Sequence, residues 1–396
     1  MPINTAFLDQ KVQDFIKAHE HDDITKLILK GSPFESIDIQ SIAQQIKGRQ
    51  VAREKFPKLY HRDKIIYPPK LNLEQSSSER TAKYKAEFLK SNDTLIDLTG
   101  GIGIDTLAFA EAASAVTYCE LNPQTFAYAQ HNFTILNHNI STHCGDGIAY
   151  LQHTKKTFDW IYIDPSRRNQ QHKKVFRLED CTPNILEHLE LFKSKTKCLM
   201  LKTSPLLDLN LCIRQIKYIS NIHIVALKNE VKELLLIINF ETAERSPKIK
   251  AVNLETQQAD FEADFDLLAI EQDLSEPQNY LYEPNPAIMK SGLFGELCRQ
   301  YKVKAIAQQS HLFTSKKQID FPGRGFKIDQ CISPKKAKLK QVIPNFKANI
   351  SCRNYPLKPY EIKKKYGLKD GGDLYIFFTT NHKNKKIVLI CHKIRF

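Results

Sequence analysis

DLTGGIGID, residues 97–105, is the stretch that decides the fold of this 396-residue chain. An apolar run precedes it, and Ile104 and Leu107 follow at helical spacing, so the stretch predicts a strand, a glycine-rich turn and a helix. Glycine lets the backbone adopt unusual angles and approach a ligand closely. The N–H groups that are free at the start of a helix then face that ligand. We therefore expect a nucleotide-like molecule at this turn.

The residues around the turn alternate between strand and helix patterns. Such alternation predicts an α/β fold, with a parallel, Rossmann-like sheet covered on both faces by helices. The last two strands are close enough in sequence to form a hairpin at an antiparallel edge. The predicted strands are 94–98, 115–119, 140–143, 160–163, 198–201, 222–227 and 234–240, and the predicted helices are 104–113, the one capped by Asn122, 147–152, 182–192 and 209–219.

The N-terminal region, residues 1–72, carries apolar residues at three- and four-residue spacing and is predicted to be helical. Ser76 and Glu79 then have the spacing of a capping box, which predicts the start of a further helix. That helix would precede the first strand and could bring Gln75, Ser76 or Thr81 near the glycine turn. Helix capping alone is the alternative role for these side chains.

The net charge of +14 is placed unevenly along the chain. Residues 321–396 contain 18 basic residues (Lys and Arg) but only 4 acidic ones (Asp and Glu), whereas the residues before them contain 40 basic and 40 acidic residues. A basic module attached to a neutral body indicates attraction to a polyanion, most plausibly nucleic acid. A solvated basic surface without a partner is the alternative. We expect a sheet domain over residues 73–240, a linker and small domain over 241–320, and a basic domain over 321–396. Within the last two domains, the sequence predicts an edge strand near 261–266, where apolar and acidic residues alternate, a helix over 286–300, and a final pair of strands at 374–378 and 387–390.

Composition also excludes some classes of protein. The sequence has no apolar run long enough to span a membrane. Its N-terminus lacks the charged-then-apolar pattern of a secretion signal, which predicts a cytoplasmic protein. Nine scattered cysteines without a Cys-x-x-Cys pair predict neither a disulfide framework nor a metal site. The oligomeric state stays open.

The glycine-rich turn follows the first predicted strand, and acidic residues lie at the ends of the next three. Glu120 ends the second strand, Asp146 follows the third, and Asp164 follows the fourth. Ligands of open sheets lie beyond the carboxyl ends of the strands. S-adenosylmethionine would fit this set. The turn would admit its amino-acid part, Glu120 would bind its ribose hydroxyls, and Asp146 would accept a hydrogen bond from its adenine amino group. The expected cofactor-binding residues are Asp97, Thr99, Gly101, Gly103, Glu120 and Asp146.

A dinucleotide is the main competing cofactor. Its fingerprint is G-x-G-x-x-G, followed about 20 residues later by an acid. Gly101, Gly103 and Glu120 fit that pattern, but Thr106 stands where the third glycine should be. Asp146 and the Asp-Pro pair at 164–165 are not part of the fingerprint. S-adenosylmethionine is therefore favoured.

Several motifs resemble those of known methyltransferases. DLTGGIG, residues 97–103, looks like the first motif of class I methyltransferases, and Asp164-Pro165-Ser166 resembles the D-P-P-Y/F/R motif of nucleic-acid amino- and ring-nitrogen methyltransferases. From about residue 40 to the end, the chain resembles a bacterial family of RNA methyltransferases with ferredoxin-like and THUMP-like C-terminal domains. The motifs that carry this second resemblance are EQSSSE (74–79), NEVKE (229–233), YEPNPAI (282–288) and FPGR (321–324).

The resemblance implies that Asp164, Pro165, Ser166 and Arg167 line the target-base pocket, and we expect them to be the catalytic residues. Asp164 and the Pro165 carbonyl would orient the lone pair of the target nitrogen. Ser166 replaces the usual second proline, and Arg167 stands where an aromatic ring often stacks on the base. Arg167 could stack through its planar guanidinium or bind phosphate. Surface ion pairs of Arg167 and Arg168 are the alternative.

The basic C-terminal domain is expected to bind the body of a structured rRNA or tRNA, whose shape and backbone proteins recognise. The sequence thus predicts an RNA base N-methyltransferase, with guanine mildly preferred because of the Asp-Leu-Thr opening. The alternatives are a methyltransferase for proteins or small molecules, and a binding protein with a vestigial cofactor site. The candidate RNA contacts are Arg324, Lys335, Lys336, Lys338, Lys340, Lys363, Lys364 and Lys365.

Overall fold

A computed structural model describes residues 3–136, 138–167, 177–242, 246–265 and 270–394. The chain divides into two compact units. The first comprises Met1–Ser220 and Leu235–Arg245, and the second comprises Asn221–Leu234 and Ser246–Phe396. In the described ranges, no helix is both long and apolar enough to cross a membrane.

The N-terminal region of the first unit is helical, as predicted. Three of its helices begin after an aspartate, namely Asp9, Asp23 and Asp38, and each side chain accepts a hydrogen bond from a backbone N–H of the first turn. Their apolar faces meet in one buried cluster that includes Ile16, Leu27 and Ile42. The helices are α1 (Gln10–Ala18), α2 (Ile24–Lys30), α3 (Ile39–Lys55), α4 (Pro57–Tyr60) and α5 (Lys70–Gln75), with a 3-10 turn at Thr5–Leu8.

The sheet of the first unit is parallel, as the alternation predicts. Five strands lie in the order β7-β4-β1-β2-β3, and the direction of winding reverses between β1 and β4. The two central strands, β1 and β4, bury apolar residues, and Leu95 and Ile161 are fully buried. The strands are β1 (Thr94–Asp97), β2 (Ala115–Glu120), β3 (Ile140–Cys144), β4 (Phe158–Ile163), the short pair β5 (Ser166–Arg167) and β6 (Cys181–Thr182), and β7 (Thr196–Thr203).

Six helices connect these strands, and two of them start later than predicted. The capping box of α6 is made by Ser78 and Thr81, whereas Ser76 ends the preceding helix. The helix predicted from Thr182 begins at Leu189. Thr182 is extended, as is favoured for a residue before proline, and a 3-10 turn at Leu186–His188 precedes the helix. The helices are α6 (Glu79–Ala86), α7 (Ile104–Ala112), α8 (Pro123–Ile135), α9 (Gly147–His153), α10 (Leu189–Lys195) and α11 (Leu209–Gln215), with 3-10 turns at Leu178–Asp180 and Leu186–His188.

The next four strands correct the predicted hairpin edge. Strands β8 (Ile219–Leu227) and β9 (Glu230–Asn239) are neighbours, joined by a two-residue turn. However, β8 also pairs in parallel with β10 (Lys248–Leu254), and β10 pairs antiparallel with β11 (Phe261–Asp264). The edge is therefore β11, which agrees with the edge strand expected from the alternating sequence there. The boundary between the two units falls inside β9, since its residues up to Leu234 belong to the second unit and those from Leu235 belong to the first.

A second sheet fills the rest of the second unit, with strand order β13-β14-β12-β15-β18-β17-β16. The predicted pairing of the last two strands is confirmed, since Ile376 of β17 lies opposite Ile390 of β18. The helix predicted over 286–300 is two helices, because Gly292 adopts a left-handed conformation with φ of +71° and ends the first one. The elements are β12 (Tyr280–Pro284), α12 (Pro286–Ser291), α13 (Phe294–Tyr301), β13 (Lys304–Ala305), β14 (Phe313–Ser315), β15 (Gly323–Ile332), α14 (Lys336–Val342), β16 (Asn349–Arg353), α15 (Pro359–Tyr366), β17 (Leu374–Thr380) and β18 (Lys386–Lys393).

Candidate functional site

Asp97 shapes the glycine turn from inside the protein. Its side chain is fully buried at the end of β1. One carboxylate oxygen accepts the N–H of Thr99 at 3.1 Å, and the other accepts the hydroxyl of Thr106 at 2.6 Å. Burial raises the pKa of Asp97 to about 7, since a low-dielectric interior disfavours the charged form. Both oxygens are thus used by the turn itself.

Two glycines of the turn are required by the backbone, and one of them faces open space. Gly103 has φ of +82°, and a Cβ there would lie 2.5 Å from the ring of Phe133. Gly101 has φ of +56°, but a Cβ there would meet nothing closer than a backbone oxygen at 3.9 Å. The Tyr118 hydroxyl donates to the Gly101 carbonyl at 2.6 Å and fixes the other side of the turn. The turn therefore borders an open space at Gly101.

Glu120 reaches this turn from the neighbouring strand β2. Its Oε2 accepts the Gly101 N–H at 2.8 Å, and its Oε1 accepts the Asn122 N–H at 2.7 Å. A carboxylate has about four lone-pair sites, so roughly two remain for a ligand. Glu120 is therefore an acceptor for hydroxyl groups beside Gly101.

Asp146 follows β3, as predicted, and caps helix α9. Its Oδ1 accepts the N–H of Ile148 at 2.8 Å. The residue is exposed. The preceding Gly145 donates its N–H to the Glu120 carbonyl at 2.9 Å, which ties the end of β3 to the end of β2. One carboxylate oxygen thus serves the helix, and the exposed side chain remains accessible to a ligand.

Asp164 lies where β4 ends, and it is held from two sides. Its N–H donates to the Thr99 hydroxyl at 2.7 Å. Its Oδ2 lies 2.5 Å from the ammonium of Lys202, which is buried near the end of β7. The Asp164 side chain is 36% exposed, so the pair opens to solvent on the carboxylate side. The ends of β1, β4 and β7 are thereby connected around one carboxylate.

The other expected catalytic residues come directly after Asp164 in the sequence. Pro165 is buried, and Ser166 is exposed at the start of β5, opposite Thr182 of β6. The backbone of Arg167 belongs to β5, but its side chain and the whole of Arg168 lie outside the described part of the chain. The question of base stacking or phosphate binding by Arg167 therefore stays a prediction.

Sequence reasoning missed a buried polar cluster behind the turn. Asp105 of α7 accepts hydrogen bonds from the hydroxyls of Ser77 and Tyr162, both at 2.7 Å, and its Oδ1 lies 3.2 Å from the Lys85 ammonium. Burial alone would raise the pKa of Asp105. The positive charges of Lys85 and Lys202, together with the hydrogen bonds from Tyr162 and Ser77, outweigh burial and hold that pKa below its usual value. The cluster thus keeps an ionised Asp105 beneath the turn.

One sequence signal could have revealed this cluster. Lys85 lies between Ala82 and Ala86 in the sequence of α6, and it is fully buried. A buried lysine requires a charged or strongly polar partner. The residue that connects this segment to the turn is Ser77 rather than Ser76, whose hydroxyl donates to the carbonyl of Leu73.

The predicted RNA-contact lysines lie on two helices of the second unit. Helices α14 and α15 turn the apolar side chains of Leu339, Ile362 and Tyr366 into a common core. Lys363 is half-buried, with its ammonium 2.6 Å from Asp370, whereas Arg324 of β15 is paired with Glu283 of β12. The exposed lysines are Lys335, Lys336, Lys338, Lys340, Lys364 and Lys365.

Comparison with known families assigns both C-terminal segments. Residues 280–322 match a ferredoxin-like domain family, and residues 323–393 match a family described as THUMP domain-like. Both segments contribute strands to the same seven-stranded sheet. Strand β12 from the first segment pairs antiparallel with β15 from the second.

Comparison with individual proteins covers the rest of the chain. An uncharacterized RNA methyltransferase of Mycoplasma mobile is 32% identical over 106 residues, which are 26% of this chain and 29% of that protein. The chain therefore spans less than a third of the length of this curated relative. A candidate methyltransferase from Porphyromonas gingivalis has the same fold over 100% of both chains, with a TM-score of 0.88 and 29% identity.

The sequence motifs, the parallel sheet and these comparisons agree. The α/β fold class, with its N-terminal helical region and small C-terminal α+β sheet, is confirmed. The resemblance to ferredoxin-like and THUMP-like domains, which the motifs at 282–288 and 321–324 indicated, is confirmed as well. Residues 280–322 and 323–393 thus match the ferredoxin-like and THUMP domain-like families, and the whole chain has the fold of the candidate methyltransferase from Porphyromonas gingivalis.

Proposed function

We propose that this chain transfers a methyl group from S-adenosylmethionine to a base nitrogen of structured cytoplasmic RNA, either rRNA or tRNA. One observation carries the proposal. Glu120, Asp146 and Asp164 follow three strands of one parallel sheet, around the open space at Gly101. The strand order reverses between β1 and β4, and open sheets bind their ligands at such a switch point.

The residues present fit S-adenosylmethionine. Gly101 leaves room for the amino-acid part, and the remaining lone pairs of Glu120 suit the two ribose hydroxyls. Asp146 is exposed and would accept a hydrogen bond from the adenine amino group. Asp97 would act as a positioning residue, because both of its oxygens hold the turn. When bound, the cofactor supplies the methyl group on a positively charged sulfonium.

Methyl transfer of this kind needs alignment of nucleophile, methyl carbon and sulfur. Asp164 and the Pro165 carbonyl would hydrogen-bond the target nitrogen and direct its lone pair. Lys202 supports this role, because it fixes one carboxylate oxygen at 2.5 Å and leaves the other for the substrate side. Ser166 and Arg167 would line the same pocket. A base in a duplex would have to be unpaired or flipped to enter.

The second unit supports RNA as the substrate class. Its THUMP domain-like segment and the exposed lysines of α14 and α15 suit a phosphate backbone. The relative from Mycoplasma mobile is named an RNA methyltransferase. We further propose that residues 73–240 form the catalytic domain, that 241–320 form a linker and small domain, and that 321–396 hold the RNA. Guanine is the preferred base, because of the Asp-Leu-Thr opening at 97–99.

Mass spectrometry of nucleosides from rRNA and tRNA tests the proposal. A strain without the protein should lack one methylated nucleoside that the parent strain contains. Purified protein and S-adenosylmethionine with a deuterated methyl group should restore that nucleoside, with label, in RNA from the deletion strain. Label that enters only protein or small molecules would contradict RNA as the substrate. Cofactor binding without any transfer would indicate a binding protein.

A further inference from the structure

An open cavity of about 1440 Å³, lined by both polar and apolar residues, lies within the second unit. Its lining includes residues of sequence motifs that the cofactor site does not use, namely 283–286, Phe321, Gly323, Arg324 and Asn229. Small-molecule pockets usually measure about 300–1,000 Å³. This cavity exceeds that range and is open, which suits a segment of a polymer.

A buried carboxylate holds two arginines at this cavity. Glu283 is buried, and its Oε2 accepts the Nε–H of Arg324 at 2.8 Å. Its Oε1 accepts from Arg353, with the Nε at 2.8 Å and Nη2 at 2.6 Å. The side chains of Arg324 and Arg353 remain 44% and 43% exposed. One carboxylate therefore neutralises only one of two arginines, and a positive charge is left at the surface.

The two guanidinium groups retain donors for a ligand. Each has five N–H groups in a planar fork, and the bonds described to Glu283 use the Nε and one terminal nitrogen. Roughly three donors on each arginine therefore remain. Arg324 also lies 5.6 Å from the ring centroid of Phe326, which limits its movement further. Arginines held in this way suit bidentate recognition of phosphate.

The neighbouring amide side chains are largely occupied by one another. Gln258 accepts hydrogen bonds from Asn285 and Asn253, both at 3.0 Å, and Asn253 also donates to Asn229 at 2.9 Å. These hydrogen bonds hold the amide side chains in place at the wall of the cavity and add no charge to it. The remaining charged residues that line the cavity, Asp320 and Lys393, offset each other. The cavity as a whole therefore favours an anion.

We propose that this cavity binds the sugar–phosphate backbone of the RNA substrate, with Arg324 and Arg353 donating to one phosphate. The inference rests on the proposed function and deepens it, since it assigns a backbone-binding site outside the cofactor unit. A phosphate ester offers oxygen acceptors to both forks, and counterion release adds affinity for a polyanion. The other source of the same chemistry is a small phosphate ester such as a nucleoside monophosphate.

RNA binding by the full chain tests the site. Fluorescence anisotropy with labelled RNA from the deletion strain should show affinity about tenfold weaker for Arg324→Gln and for Arg353→Gln. The slope of log K against log salt concentration should fall by about one for each variant, as expected for one lost phosphate contact. Arg299→Gln is the matched control, because Arg299 pairs with Glu296 in the same unit but does not line the cavity.

The outcomes separate this inference from the proposed function. Equal RNA affinity and salt slope for the two cavity variants and Arg299→Gln would overturn the cavity site but leave the methyltransferase proposal standing. A wild-type protein that binds S-adenosylmethionine but no RNA would overturn both RNA statements. Adenosine monophosphate that competes as well as RNA, at equal phosphate concentration, would assign the cavity to small phosphate esters and contradict RNA. Melting temperatures check that each variant folds.

A second measurement does not require substitutions. Phenylglyoxal modifies exposed guanidinium groups, and mass spectrometry locates the modified residues. RNA should protect Arg324 and Arg353 of the wild-type protein, whereas Arg299, whose side chain is 70% exposed, should react equally with and without RNA. Unchanged modification of the two cavity arginines in the presence of saturating RNA would overturn the proposal.

Discussion

The two units use buried carboxylates in opposite ways. In the first, Asp97 and Asp105 are buried and hold the turn and a lysine, while Glu120 and Asp164 keep acceptor capacity toward the open space. In the second, the buried Glu283 holds two half-exposed arginines, whose donors face a cavity. The first arrangement suits a cationic ligand with hydroxyl groups, and the second suits an anion.

This difference shows that the buried charge does not determine what a site binds. The ligand meets the partly exposed groups, and the buried group sets their orientation. A buried carboxylate that binds backbone or a single lysine leaves an acidic surface, whereas one that binds two arginines leaves a basic one. Substitutions at the two sites should therefore have different effects on the cofactor, the RNA and the stability of the fold.

The largest effect is expected for Asp164→Ala. Loss of the group that orients the target nitrogen should slow methyl transfer by about 100-fold or more. Affinity for S-adenosylmethionine should change by less than threefold, because the cofactor would lie against Gly101 and Glu120. Single-turnover transfer to RNA measures the rate, and calorimetry measures the affinity. A near-normal rate would remove Asp164 from catalysis.

Two lysines of β7 offer a matched pair for the same site. Lys202 is buried beside Asp164, whereas Lys197 is exposed and paired with Glu241. Lys202→Met should lower the transfer rate by about tenfold, because a misplaced catalytic group loses alignment. Lys197→Met should leave it unchanged. Equal rates for the two variants would show that the Lys202 contact does not position Asp164.

Glu283→Gln should affect stability more than any single change at the cofactor site. It removes the charge of a buried carboxylate that holds two arginines. Because solvent screens these half-exposed arginines, the expected loss is about 2 kcal/mol, less than for a fully buried pair. Urea unfolding of the full chain measures the loss. Glu230→Gln, in the same unit, removes an exposed partner of Lys232 and should change the free energy of unfolding by less than about 0.5 kcal/mol. A similar small change for Glu283→Gln would contradict the buried clamp.

Glu120→Gln should weaken S-adenosylmethionine binding by about tenfold, since a charged acceptor for hydroxyl groups is replaced by a neutral amide. Glu111→Gln is the control, because Glu111 is an acid of α7 that pairs with Lys58 at the surface. Calorimetry compares the two variants. Equal affinities would place the ribose elsewhere.

The smallest effect concerns pH and Asp97, whose pKa is raised to about 7. A cationic cofactor favours the ionised carboxylate, so below pH 7 binding must release a proton. Affinity should therefore fall by up to about tenfold from pH 8 to pH 6, and Asp97→Asn should remove that dependence. In the absence of cofactor, the stability of the fold depends on pH in the opposite direction. The contribution of Asp97 is present at low pH and is lost as the pH rises through 7, because its folded pKa exceeds the usual value. A pH-independent affinity of the wild-type protein would contradict this linkage.

Apolar spacing predicted helices and strands well where no proline or glycine interrupts the pattern. The strands near 94–98 and 115–119 and the helix after Asn122 lie within a residue or two of their predicted limits, because apolar runs and caps are local signals. The helix from 182 and the helix over 286–300 were wrong where Pro183 and Gly292 override the apolar spacing. The hairpin was wrongly placed at an edge, because β8 also pairs with β10, and apolar spacing within a strand does not show which strand pairs with it.

The sequence by itself determined the glycine turn, the acids at successive strand ends and the basic C-terminus, since each depends on residue type and local spacing. Only the tertiary structure decided which charges meet. Lys202 reaches Asp164 from 38 residues away, and Arg353 reaches Glu283 from 70 residues away. Contacts at such separations depend on strand order and burial, which bring together groups that no local pattern relates. The turn at 97–103 therefore follows from sequence, whereas the arginine pair at Glu283 follows from the fold.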